Sequence, residues 1–350
     1  MSTYQDIAKR IQPLDEGAMQ AAQKRLDDLT KPQGSLGDLE PLLCRIAGMQ
    51  GTAIPDITKK CVIVMAADHG IVQEGVSLYP QDVTPQMVIN MAQGGAAISV
   101  LTKAAGAVCM LIDVGVAVEV AHPNVICKKI RPGTGNMLHG PAMTREEAEQ
   151  ALDIGVAAAT QAAADGAQLL ALGEMGIGNT TASSALTQAL TDIDPLSTVG
   201  RGTGLDPERV RAKAAVISRV LAANHFDSQD PIDALHKVGG LEIAALAGVV
   251  LGGAAAGVPV MLDGFISTVA ALVATRIAPL SQAYLLPSHC SHEPGHVWLL
   301  QTLGLTPLIT ANMRLGEGSG AALCFSIYDN AIRLMRDMAT FSSAGVSNKE

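Results

Sequence analysis

Two acidic residues stand where proton transfer is feasible. Glu317 lies between Gly316 and Gly318, with Ser319 and Gly320 close behind, and Glu174 follows an apolar run ending in Gly173. A carboxylate held among glycines has little side-chain company and can face a ligand. A positioned general base contributes ~10²–10⁴-fold to a reaction. The same residues could instead serve as helix-capping or loop carboxylates. Glu174 belongs to the stretch 173–181, Gly-Glu-Met-Gly-Ile-Gly-Asn-Thr-Thr, which joins an expected strand to a helix starting near Ala182. Gly176 and Gly178 permit close backbone approach, and Thr180 or Thr181 can cap the helix. Exposed N–H groups and the helix dipole then favour a phosphate. The stretch lacks the P-loop lysine and the dinucleotide fingerprint, so a tight turn with no ligand stays open. Two more glycine stretches, 199–204 and 314–322, weigh toward a ligand. Lys213, Arg201 and Arg314 are the few cations suited to meet a phosphate.

A histidine group needs separate treatment. His292-Glu-Pro-Gly-His296 satisfies the zinc-binding pattern H-E-x-x-H literally, with His289 and Cys290 nearby. That pattern binds zinc when both histidines share one face of a continuous helix. Pro294 and Gly295 lie inside it, and an interior proline costs a helix ~3 kcal/mol or more. A substrate-lining loop or a structural role is the better expectation, and no metal site is predicted. Asp68-His69-Gly70 reads similarly, as the floor of a pocket.

The elements that must position these residues follow from apolar runs. Segments 61–67, 107–112, 168–172, 258–262 and 283–286 are short and apolar throughout, and each ends near Asp, Gly, Glu or Pro. Such strands are covered on both faces, as in a parallel sheet with crossover helices. Ligands of such sheets bind at the carboxyl ends of the strands, where the unusual residues fall. The fold class expected is α/β, with a mostly parallel sheet carrying helices on both faces. Residues 1–55 and 325–350 read as polar helices, for instance 16–29 and 325–338, and are expected to form a small helical domain. Residues 56–324 form the large α/β domain carrying the site. The uncharged segment 243–262 is long enough for a bilayer. Its four glycines, Gly248, Gly252, Gly253 and Gly257, and Pro259 favour a buried helix to about residue 256 and a strand over 258–262.

Composition bounds the function further. The chain has 350 residues and a formal charge of −9, from 33 acidic and 24 basic residues. Nucleic-acid surfaces need clustered cations and stacking aromatics, and one Trp, four Tyr and four Phe supply no platform. The six cysteines have no paired spacing and several lie in apolar runs, so they read as small buried thiols. The N-terminus shows no signal peptide, so cytoplasmic residence is expected.

Taken in order, seven segments carry a resemblance: Lys31-Pro-Gln-Gly-Ser-Leu-Gly37, Ala67-Asp-His-Gly70, 173–181, Lys237-Val-Gly-Gly240, Leu262-Asp-Gly-Phe265, Pro287-Ser-His289 and Arg314-Leu-Gly-Glu-Gly-Ser-Gly320. Through them the chain resembles the nicotinate-nucleotide:dimethylbenzimidazole phosphoribosyltransferase family over nearly its whole length. The resemblance implies a Rossmann-like sheet and transfer of phosphoribose from nicotinate mononucleotide to an aromatic base, for the lower ligand of a cobamide. It also implies a dimer, of identical or paralogous chains, in which each site is capped by the neighbour. Glu317 is then the general base and Glu174 a supporting carboxylate. Gly176, Gly178, Asn179, Thr180, Gly202, Thr203, Lys213, Gly264, Ser291 and Arg314 hold the nucleotide. Nicotinate leaves from a cationic pyridinium, so no cofactor, metal or acid catalyst is required.

Departures from the family pattern fall in the acceptor pocket, which the resemblance assigns to Tyr79, Pro80, Met87, Met175 and Leu315. Benzimidazole-using relatives usually carry Ser, Gln and Leu at the positions of Tyr79, Met87 and Met175. A larger ring and two thioethers make a smaller, less polar pocket, which suits a single ring. The pattern resembles the phenol- and p-cresol-activating branch of the family, with benzimidazoles as additional acceptors. Two other readings compete: a non-catalytic subunit completing a partner's site, and a metal-dependent hydrolase built on His289, His292 and His296.

Overall fold

The computed structural model describes residues 3–191, 193, 195–200, 206–227 and 229–347. Six strands form one sheet: β1 Lys60–Ala67, β2 Val108–Gly115, β3 Val125–Cys127, β4 Leu169–Met175, β5 Val260–Met261 and β6 Leu285–Leu286. Their order is β3-β2-β1-β4-β5-β6, and every pairing is parallel. β1 is buried from end to end, as its unbroken apolar sequence requires. The order reverses between β1 and β4, where Ala66 pairs with Met175. A crevice opens there, beyond the carboxyl ends of the strands.

The five expected strands all form, but β2 and β4 run three residues farther than their apolar runs. That extension brings Glu174 into the sheet itself. β3 is missing from the sequence reading because a three-residue, half-exposed edge strand has too little apolar pattern to register. The uncharged segment resolves into the helix Leu241–Ala255, buried on all sides except its end, followed by β5. Among the described residues no helix is long and apolar enough to cross a membrane.

Helix Leu241–Ala255 lies against helix Arg145–Ala164, and together they back the sheet. At the chain ends, helices Glu16–Asp28 and Leu39–Gln50 pair, and the Arg25 guanidinium donates to the carbonyls of Met335, Arg336 and Met338. Met335 and Arg336 lie in the last turn of helix Ser319–Asp337 and Met338 is its C-cap, where carbonyls need donors from outside the helix. This helix starts at Ser319, directly after the lining residues Gly316 and Glu317, so the division expected at 325 falls inside it. The first helix, Tyr4–Ala8, packs instead on Arg145–Ala164 and Leu241–Ala255, with the Tyr4 N–H donating to Asp153. Cys44, Cys61 and Cys324 are buried as expected; Cys109 and Cys127 are exposed, one at the start of β2 and one on the edge strand.

Candidate active site

A cavity of about 440 Å³ fills the crevice. One wall is the loop after β4. Gly178 takes φ +100°, which a side chain would resist, and is the N-cap of helix Asn179–Leu190. The helix thus begins three residues earlier than expected, and Thr180 and Thr181 lie in its first turn rather than capping it. A second wall is the start of helix Phe265–Ile277, whose N-cap is Gly264. Neither helix has a side-chain cap, so both present their positive ends to the cavity. Lys213, on helix Pro207–Ala223, completes this corner; it is buried and donates to Thr180 Oγ1 at 2.7 Å. Burial pushes its amine down to about 8, against the upward pull of nearby Glu293. The Ser291 hydroxyl is also buried on the lining and has no hydrogen-bond partner among the described residues. Two helix ends, an amine and an unpartnered hydroxyl line one corner, an arrangement that can bind an anion.

Glu317 lines the same cavity. It has φ +67°, one of two non-glycine residues in that region among those described. Its company is closer than the flanking glycines suggested. The carboxylate accepts from the Ile98 N–H at 3.3 Å, capping helix Ala97–Ala104, which has no cap of its own. Its own N–H donates to Glu174 Oε1 at 3.4 Å, and Glu174 Oε2 accepts from Asn179. Burial first, then the charges of Asp263 and Glu242, push Glu174 up to about 8. Burial also raises Glu317, with Asp263 adding and the Ile98 bond opposing. A raised carboxyl in a cleft is a better proton acceptor at neutral pH.

The third wall is apolar. Met87, Met175 and Val83 line it, while Tyr79 and Leu315 stand at the mouth, 51% and 58% exposed. Tyr79 therefore closes the rim rather than filling the interior. Pro80 is exposed and is not part of the lining. Arg314 is exposed but reaches the lining. Thus Glu317, Glu174, Gly176, Gly178, Asn179, Thr180, Lys213, Gly264, Ser291, Tyr79, Met87 and Met175 all meet at one cavity. Arg201, Gly202 and Thr203 lie outside the described residues.

His289 lines the cavity, whereas the two histidines of the H-E-x-x-H pattern lie outside it. Helix Pro294–Thr302 starts after Glu293, so His292 precedes it and is exposed, while His296 is buried inside it. His296 Nδ1 accepts from the Ser291 N–H at 2.9 Å, leaving Nε2 to donate to Thr268 at 3.0 Å. Both ring nitrogens are used, and burial holds the ring neutral, down to about 3. The two histidines of the pattern cannot share a metal. His69 does not line the cavity; it packs beneath Gly178 and bonds Glu242 at 2.7 Å, supporting the loop from behind.

Two lining carboxylates escaped sequence reasoning, Asp263 and Glu293. Asp263 sits at the end of β5, as Glu174 sits at the end of β4, so its position in the apolar run was the available signal. Glu293 was read only as part of the histidine pattern.

Comparison with known proteins places the chain in a family. The family model described as Phosphoribosyltransferase matches residues 11–346. The nicotinate-nucleotide–dimethylbenzimidazole phosphoribosyltransferase of Halalkalibacterium halodurans is 52% identical, over 99% of this chain and 97% of its own. The chain belongs to this phosphoribosyltransferase family. Another member, from Desulforamulus reducens, is 48% identical over 99% of both chains. The crystal structure of the Thermus thermophilus phosphoribosyltransferase superposes with a TM-score of 0.91 at 46% identity, over 96% of this chain and 100% of that one. The α/β architecture is therefore that of solved family members.

Proposed function

We propose that the protein transfers the 5-phosphoribosyl group of nicotinate mononucleotide to an aromatic acceptor, making the α-riboside phosphate of a cobamide lower ligand. The observation that carries this is a buried carboxylate, Glu317, lining one cavity with two uncapped helix ends and Lys213. The phosphate sits at the helix ends with Lys213 and Ser291. The bond from the ribose anomeric carbon to the pyridinium nitrogen breaks, and its electron pair neutralises the departing nicotinate. The acceptor's oxygen or nitrogen bonds to the opposite face of that carbon, and its proton passes to Glu317. The curated relatives named above carry dimethylbenzimidazole in their names. The apolar wall of Met87 and Met175 supports phenol and p-cresol as acceptors here, with benzimidazoles as additional ones. A phenol has a pKa near 10, so Glu317 takes its proton only as the new bond forms. The protein acts as a dimer, with an identical or paralogous chain over the exposed Leu78, Tyr79 and Leu315 at the mouth.

The test is nicotinate release from the mononucleotide with p-cresol, phenol and dimethylbenzimidazole, by the full chain alone and with any natural partner. Release with the phenols is expected, and Tyr79→Ser with Met87→Gln lowers the ratio of phenol to benzimidazole turnover. Conversion of dimethylbenzimidazole but of no phenol overturns the acceptor assignment; no release with any acceptor overturns the activity. Glu317→Gln separates an active chain from a silent subunit, because only an active one loses turnover through it.

A further inference from the structure

We propose that Asp263 is the positioning residue for Glu317: its carboxylate gathers the first turn of helix Ser319–Asp337 and so fixes the backbone that holds the base. This rests on reading Glu317 as the base. Asp263 Oδ2 accepts from the Gly318 N–H at 3.1 Å, and Oδ1 accepts from Gly320 at 2.7 Å and Ala321 at 3.0 Å. A helix start leaves four N–H groups without partners, and this one has no cap from its own N-cap residue, Gly318. Asp263 supplies the cap from the loop after β5.

The consequence reaches Glu317 through one peptide bond. A non-glycine residue at positive φ costs ~1–3 kcal/mol and persists only when its surroundings over-determine it. Glu317 is tied on its N-terminal side by its N–H to Glu174 and at its tip by Ile98. On the C-terminal side, the tie is Asp263 to the N–H of Gly318. Although Asp263 lines the cavity, both its oxygens are engaged by the backbone. It therefore acts through Glu317 rather than on the substrate.

Its charge has a second effect. The ionisable groups around the base are Glu174 on β4, Glu242 on helix Leu241–Ala255, His289 after β6 and Cys324 on the helix itself. Lys213, Glu293 and Arg314 also border the cavity. Burial raises Asp263 itself, opposed by His289 and its three N–H donors, and in its charged form it makes ionisation of Glu317, Glu174 and Cys324 harder. Removing that charge should make Glu317 ionise at lower pH.

The experiment compares wild type, Asp263→Asn, Asp263→Ala and Glu317→Gln in the full chain, with nicotinate mononucleotide and whichever acceptor the wild type converts. Asn keeps the shape and one accepting oxygen but loses the charge and one backbone bond. Asp263→Asn is expected to lower kcat about 10²-fold, the scale of a misplaced reacting group, with little change in KM for the mononucleotide. The acid limb of its kcat/KM profile moves to lower pH. Asp263→Ala loses more rate and also melts earlier. Should Asn not fold, Asp263→Ser caps without charge and bears the same test. An unmoved acid limb overturns the proposal, whatever happens to rate or melting temperature, since a merely structural cap leaves that limb in place. If Glu317→Gln keeps wild-type turnover, the base lies elsewhere and both readings fall. If Glu317→Gln is inactive while Asp263→Asn keeps the wild-type limb, the positioning role alone falls.

Discussion

Lys213 is a buried amine, and in the proposed reaction it must stay protonated to hold the phosphate. Burial lowers it to about 8, so the free enzyme loses this charge just above neutrality. KM for the mononucleotide should therefore rise with pH above about 8, while kcat stays nearly level. Lys213→Met removes one charged hydrogen bond, worth ~1.5–3 kcal/mol, and raises KM at pH 7 about 10–100-fold. It also flattens the alkaline rise; a rise that persists in this variant assigns the titration to another group. At this scale the sequence is readable where chemistry contradicts its surroundings. Glu317 among glycines and Glu174 after an apolar run are of that kind. Lys213 is one cation on a helix whose docking is set by distant contacts, and spacing alone does not separate it from its exposed neighbour Arg211. Asp263 reads as an ordinary strand-end turn residue until the helix it caps is placed beside it.

Between elements, helices Arg145–Ala164 and Leu241–Ala255 cross with backbone against backbone. A Cβ on Gly155 would overlap the Ala245 carbonyl oxygen, and one on Gly248 would overlap that of Leu152. Backbone meets backbone there, so no side-chain rotation relieves the clash. Gly248→Ala must push the helices apart, and overpacking of this kind costs ~1–3 kcal/mol. A fall of roughly 1–4 °C in melting temperature is expected. Gly140→Ala is the control, since nothing lies within 4 Å of its Cβ. Equal melting of the two variants would refute the crossing. The five principal strands are legible because apolar runs with strand-end polar residues are a strong local signal. This crossing is not, because glycines in an apolar helix look the same whether they face lipid, solvent or another backbone. Helix starts are misread for a related reason. Gly178 caps by backbone conformation, whereas Thr180 and Thr181 look like caps by composition.

At the scale of the whole molecule, the site makes stability depend on pH in two opposing steps. Glu174 ionises near 4.5 in an unfolded chain but near 8 when folded. Between these values the folded state binds the extra proton, so stability falls as pH rises from about 4.5 to about 8. Lys213 works in the other direction. Its folded value of about 8 lies below the unfolded 10.5, so between them the unfolded chain binds the extra proton and stability recovers. The site thus contributes a minimum near pH 8, where Glu174 is losing its proton and Lys213 still holds much of its own. Denaturant unfolding of wild type, Glu174→Gln and Lys213→Met from pH 5 to 10 reads the two steps as differences, since every other group cancels. Glu174→Gln should gain stability over wild type as pH rises toward 8, and Lys213→Met should lose its advantage above 8. Inorganic phosphate, by binding the protonated amine, should stabilise the wild type more at pH 7 than at pH 9.5 and leave Lys213→Met nearly unchanged. Phosphate stabilisation equal at both pH values, or equal in wild type and variant, would detach the anion site from Lys213.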